Sequence, residues 1–272
     1  MFKSMENRPV FSFKYPIVDN NKLITDNIII SNLFVNYFLD KFRNQSLINN
    51  YETKLLSLQV AYNLEYNVSY NSPFTLLELQ RCIIDLNVKS AMGQDSFHNN
   101  FLYHLPKGLY SVLLEAINKS WNTGLFPDSH KISTLIPILK PHKDPHVTSS
   151  YRPIALLSCL GKLMEKVIYN RLYSYLENYE HIPVFQCGFR KFHSCIDVLL
   201  NLEHHIKIAL KSRKILLLVF FDIQKTFDSC NHTNILYNLL NVGIRGKLLK
   251  WFKDIFTNRK FNIRIGNIHS NE

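Results

Sequence analysis

No apolar run in these 272 residues exceeds seven, Ile215 to Phe221. That is far short of the roughly 20 residues a helix needs to span a bilayer, so no membrane partner is expected. Charged residues, Lys214 and Asp222, flank the run, which predicts a buried strand rather than a membrane element. The opening residues, Met1 to Glu6, lack the apolar core of a secretory signal. The expectation is an intracellular protein, cytoplasmic or nuclear, and not a secreted one. Glycine is scarce, at 8, while aromatics make up 13% of the chain, which excludes collagen-like, low-complexity and disordered classes. Cysteine is sparse and odd in number: Cys82, Cys159, Cys187, Cys195 and Cys230 read as reduced thiols. The tightest cluster of metal-ligand types, Cys187, His193 and Cys195 with His204 and His205 beyond, matches no zinc-module spacing.

Acidic residues are also in deficit, and the deficit is local. Residues 1–100 hold nine Lys/Arg and nine Asp/Glu, so the entire net charge of +11 lies in residues 101–272. A basic excess confined to one region fits a polyanion partner, usually nucleic acid, although a solubilising surface produces the same count.

With 46% hydrophobic residues the chain can bury a sizeable core. Apolar spacing predicts a helix from about Asp26 to Phe42, and a capping-box pattern at Thr75 to Glu78 opens another through Leu86. Further helices are expected at about 107–122, 160–179, 195–211, 231–241 and 247–256. Thr134 to Leu139 reads as a short strand, and Phe261 to Ile265 with Gly266-Asn267 as the first arm of a hairpin. Helices and few strands, not in strict alternation, point to an α+β architecture.

The sharpest local feature is Phe220-Phe221-Asp222-Ile223-Gln224-Lys225-Thr226-Phe227-Asp228. An apolar strand ending in Asp places a carboxylate at the strand edge, where it suits a hard cation such as Mg²⁺. A helix cap or an ion pair is the commoner use of such an Asp, and Asp228 reads as a cap for the helix near Asn231.

Several blocks, in order, resemble the polymerase region of non-LTR (LINE-like, jockey-like) retrotransposons. Lys89-Ser90-Ala91-Met92-Gly93-Gln94-Asp95 resembles K-S-x-P-G-P-D. The stretches Ile136 to Pro141, Tyr151 to Ser158 and Lys162 to Ile168, ending Asn170-Arg171-Leu172, resemble the fingers block. Gln186-Cys187-Gly188-Phe189-Arg190 is similar to Q-x-G-F-R, and Phe221 to Asp228 resembles the first palm motif, F-x-D-x-x-K-A-F-D. The likeness covers about residues 75–270, and Pro16 to Phe42 resembles the linker before the polymerase in such elements. Met92 and Gln94 depart from the family's prolines, and Thr226 from its alanine.

The resemblance implies a partial right-hand polymerase, with helix-rich fingers and an incomplete palm sheet. Residues 1–70 would be an N-terminal extension, 71–212 the fingers region and 213–272 the incomplete palm. It implies RNA template, DNA primer and dNTP as partners and a two-metal Mg²⁺ site. Asp222 would be the catalytic metal ligand, assisted by the carbonyl of Ile223. Phe227 would stack under the sugar, Lys140 and Arg152 would meet the triphosphate, and Arg190 would contact the template backbone. The family's Tyr-x-Asp-Asp turn is missing from these 272 residues, which contain no Asp-Asp dipeptide at all. The expectation is therefore a polymerase fragment that does not polymerise alone. A non-catalytic nucleic-acid-binding protein and a marginally folded remnant are the competing readings.

Overall fold

The computed structural model describes Phe13 and residues 15–43, 51–64, 69–95, 97–223, 226 and 230–270. Strands β1 (Ile17–Asp19) and β2 (Lys22–Ile24) form a short hairpin. Its turn residues, Asn20 and Asn21, both have positive φ, which asparagine tolerates and a tight hairpin requires. Helix α1 (Asn27–Arg43) follows, then α2 (Tyr51–Asn63), α3 (Leu76–Ile84), α4 (Asn99–Tyr103) and α5 (Tyr110–Thr123). Strands β3 (Ile132–Leu139) and β4 (Tyr151–Leu156) lead into the long α6 (Cys159–Asn178) and α7 (Cys195–Lys211). Helices α8 (His232–Asn241) and α9 (Lys247–Phe256) then precede the hairpin β5 (Lys260–Ile265) and β6 (Ile268–His269).

The helix ends follow local chemistry. Thr75 Oγ1 accepts from the Glu78 amide while the Glu78 carboxylate accepts from the Thr75 amide, the reciprocal cap anticipated for α3. Ser194 and Asp197 do the same for α7. Helix α8 is capped by Asn231, whose side chain accepts from the Asn234 amide. Asp228, which the sequence suggests for that cap, lies outside the described residues, as do Gln224, Lys225 and Phe227.

The larger sheet has the order β4-β3-β5-β6. β3 pairs antiparallel with β4 and parallel with β5, and β5 pairs antiparallel with β6. One face carries Leu135, Tyr151, Ile263 and Ile265, packed on Ile30, Phe34 and Phe38 of α1 and on Ile17. Phe34 stands edge-on to Tyr151 with ring centroids 5.1 Å apart and stacks on Phe38 at 5.9 Å. A second, helical core holds Trp121 and Trp251, packed against Phe74 and Phe126 respectively. Here the buried Asn71 side chain donates to the Arg245 carbonyl and accepts from the Leu248 amide, tying the start of α9 to the residues before α3.

The chain divides into two compact units, residues 171–226 and the remainder. β5, assigned to the palm stretch 213–272, is a strand of the same sheet as β3 and β4.

One element differs outright. Ile215 to Phe221 is not a strand but irregular chain, its residues ranging from 39% exposed (Leu216) to 99% (Ile215). The apolar pattern satisfies the local half of the requirement. A β-strand also needs a neighbour to take its amides and carbonyls, and among the described residues none lies alongside. The α7 helix of the same unit likewise has no buried residue.

Candidate functional site

The face of the large sheet opposite α1 is built by alternation. Ile132, Thr134, Ile136 and Ile138 of β3 share it with Arg152, Ile154 and Leu156 of β4, by the pairs Ile138↔Arg152, Ile136↔Ile154 and Thr134↔Leu156. Beyond β3 the pairing continues, because the Lys140 amide donates to the Ser150 carbonyl at 2.9 Å. Lys140 therefore stands on the same face as Arg152. Its Nζ donates to the Ser149 carbonyl at 2.8 Å, which holds the lysine at the mouth of the β3–β4 loop. Ile138 and Ile154 are each 45% exposed, so this end of the face is open. None of β3, β4 or β5 contains an Asp or Glu. Two cations beside an exposed aliphatic floor, without carboxylates in the sheet, form a surface suited to phosphate.

Gly93 lies against the chain leading into α6. A Cβ there would sit 2.6 Å from Leu157 C and Ser158 N, so the close approach of the Lys89 to Asp95 loop depends on glycine. Ser158 Oγ accepts from the Gly161 amide at 3.1 Å and shares a 2.8 Å hydrogen bond with His130 Nδ1. Burial lowers the His130 pKa, partly countered by Asp95.

The second unit places Arg190 otherwise than as a free template contact. Its guanidinium donates to both oxygens of Glu177 at 2.9 and 2.8 Å and to the Pro183 carbonyl at 3.1 Å. Tyr173 donates its hydroxyl to Glu177 at 2.6 Å and accepts from the Lys191 amide at 3.0 Å. Arg190 thus clips the loop after α6 to the last turns of that helix. Nothing in the sequence pattern singled out Glu177, because its partner lies 13 residues on with an irregular loop between. Hydrogen bonds from Arg190 and then Tyr173 push the Glu177 carboxyl down to about 2. A carboxyl depressed on folding stabilises the folded form above its unfolded pKa, and that contribution is lost as pH falls through the folded value. The clip is therefore expected to hold to about pH 4.5 and to release between there and about 2. Hydrogen exchange at the Lys191 amide reads this directly, and Glu177→Gln should remove the protection at every pH. Protection unchanged from pH 7 to 2 would refute it.

Asp222 and Ile223 lie in this second unit, exposed, and the Ile223 carbonyl accepts from Thr226 Oγ1 at 2.7 Å. Among the described residues no three His, Cys, Asp or Glu side chains form a metal-ligand group. The described residues therefore do not by themselves form a two-metal centre. No helix among them is long and apolar enough to cross a membrane.

A four-stranded sheet flanked by helices, with Lys140 and Arg152 sharing an open face, coincides with a family match. The reverse transcriptase (RNA-dependent DNA polymerase) family matches residues 138–271. The match takes in the last two residues of β3, all of β4, β5 and β6, α6 to α9 and Asp222. Among similar proteins, the RNA-directed DNA polymerase from mobile element jockey of Drosophila funebris is 33% identical over 191 residues, 70% of this chain and 21% of that protein. The probable RNA-directed DNA polymerase from transposon BS of Drosophila melanogaster is 29% identical over 245 residues, 88% of this chain and 26% of its own length. That from transposon X-element of the same species is 25% identical over 260 residues, 95% and 28% respectively. Residues 138–271 thus carry reverse transcriptase domain sequence of the non-LTR retrotransposon type. The chain spans 21–28% of the length of these curated relatives.

Proposed function

We propose that this chain supplies the fingers and the first palm stretch of an RNA-directed DNA polymerase of a mobile element. The observation that carries the reading is the placement of Lys140 and Arg152 on one open sheet face whose strands lack carboxylates. On this reading the two cations take the triphosphate of an incoming dNTP, Arg152 by its planar fork and Lys140 as a point charge. By the family resemblance Phe227 would stack beneath the sugar, and Asp222 with the Ile223 carbonyl would supply part of the several oxygen ligands that Mg²⁺ needs. RNA template and DNA primer are the partners. Arg190 serves the template through loop order, since its guanidinium is held by Glu177 and the Pro183 carbonyl. Residues 71–212 are assigned to the fingers, to which we add β5 and β6 because they extend the β3–β4 sheet.

The same proposal holds that the chain alone does not polymerise. Two divalent ions beside a triphosphate need several carboxylates, and no Asp-Asp pair occurs in the 272 residues. Labelled dNTP on a primed RNA template should give no extension with the purified chain. Robust incorporation that Asp222→Ala abolishes would overturn this part.

A further inference from the structure

We propose that Arg264 is a third phosphate ligand on the open sheet face, completing with Lys140 and Arg152 a cradle for a polyphosphate group. The inference rests on the reading of that face as a phosphate site and names a residue which that reading does not contain.

The argument starts from register. β3 and β5 run parallel with the pairs Ile132↔Lys260, Thr134↔Asn262 and Leu135↔Ile263. One step further puts Arg264 beside Ile136, on the same face as Ile138, Lys140 and Arg152. Strand spacing and rise set the Arg152 and Arg264 Cα atoms about 12 Å apart across β3, with Ile136 and Ile138 between them. Two long side chains leaning inward from such positions can grip one extended anion from both sides.

The surroundings favour an anion rather than a buried structural pair. The guanidinium groups of Arg152 and Arg264 make no hydrogen bond or ion pair among the described residues. The next strand offers no counter-charge either, since the partner of Arg264 on β6 is His269, a neutral or positive group. Burial and the nearby Arg264 charge both lower the His269 pKa. Arg264 also lines a cavity of about 300 Å³ at the end of β5, where β3 continues paired with β4 only; Ile136 and Ile138 of the open face line it together with Tyr151 of the face packed on α1. That volume is at the small end of ligand pockets. Arg264, across Ile136 and Ile138 from Arg152, adds a further positive charge to an aliphatic floor whose strands carry no carboxylate, and like charges so placed repel unless an anion joins them.

Phosphate is the shared chemistry, and it has two sources: the triphosphate of a nucleotide, or the backbone of a single strand. The test uses the whole chain, with inorganic triphosphate and dTTP as one pair of probes and a single-stranded oligo(U) RNA as the other, by calorimetry or fluorescence. Arg264→Ala should weaken binding of the relevant probe by at least about tenfold, the ordinary worth of hydrogen bonds to a charged group. Arg264→Lys should recover part of the loss, because charge returns without the bidentate fork. Loss for triphosphate and dTTP identifies the nucleotide. Loss confined to RNA, with a shallower dependence on salt, identifies the strand. Wild-type affinity of Arg264→Ala for all three probes, alongside weakened Lys140→Ala and Arg152→Ala, overturns this inference and leaves the proposed function standing. If wild type binds none of the probes, both fall. Unchanged thermal melts of the Arg264 variants exclude loss of fold as the cause.

Discussion

Asp254→Ala is expected to lower the unfolding free energy by about 3–5 kcal/mol, the usual cost of stranding one partner of a buried ion pair. Lys131 is only 4% exposed, and its ammonium lies 2.9 Å from Asp254 and 3.1 Å from Asp128. Asp128 is 90% exposed and hydrated, so it compensates poorly. Asp254 also accepts from the Phe126 amide at 2.7 Å, and that donor would be orphaned as well. The pair fastens the start of β3 to α9, while the Lys131 carbonyl accepts from the Lys260 amide at the start of β5. Burial lowers the Lys131 pKa, but its bonds to Asp254 and Asp128 outweigh this and the net shift is upward. A raised lysine stabilises the folded form below its unfolded pKa and loses that contribution only as pH rises through the folded value. The deficit of the variant should therefore be constant across neutral pH and shrink in strong alkali. Urea titration measures it, and a loss below about 1 kcal/mol would show that the pair is not what holds these elements together.

The second large effect is expected at Gly93. An alanine Cβ would come within 2.6 Å of main-chain atoms of Leu157 and Ser158, which cannot swing aside as a side-chain tip would. Either the Lys89 to Asp95 loop lifts or the entry to α6 shifts, at about 1–3 kcal/mol for overpacking of this kind. Gly108 is the internal control: nothing lies within 4 Å of a Cβ there. Gly108→Ala should be neutral or slightly stabilising, through reduced freedom of the unfolded chain. Thermal melts of the two variants side by side decide the matter, and equal melting temperatures would refute the close approach. Faster hydrogen exchange around Ser158 in Gly93→Ala alone would locate the damage at the α6 entry.

Most helices were legible in the sequence because their information is local. Apolar spacing and a reciprocal cap sufficed for α1 and α3, and periodicity alone located α7 and α9. The β1–β2 hairpin and α2 were missed. The turn of the former is the unremarkable Asn20-Asn21, and the latter lacks a clean apolar stripe along Tyr51–Asn63. Ile215 to Phe221 departs from its sequence expectation for the opposite reason: its local apolar pattern is strong, but a strand exists only where a neighbour completes its hydrogen bonds.

The sequence by itself determined the family, through ordered blocks whose residues chemistry holds to type, and with it the interest of Lys140, Arg152 and Asp222. Only the tertiary structure decided that β5 pairs with β3 from more than a hundred residues away, and so that Arg264 shares a face with the two cations. It likewise decided that Arg190 is held by Glu177 and that Asp254 neutralises a buried lysine. These are choices of partner. A side chain's charge and reach are written in its identity, whereas its partner is set by which distant segments pack together.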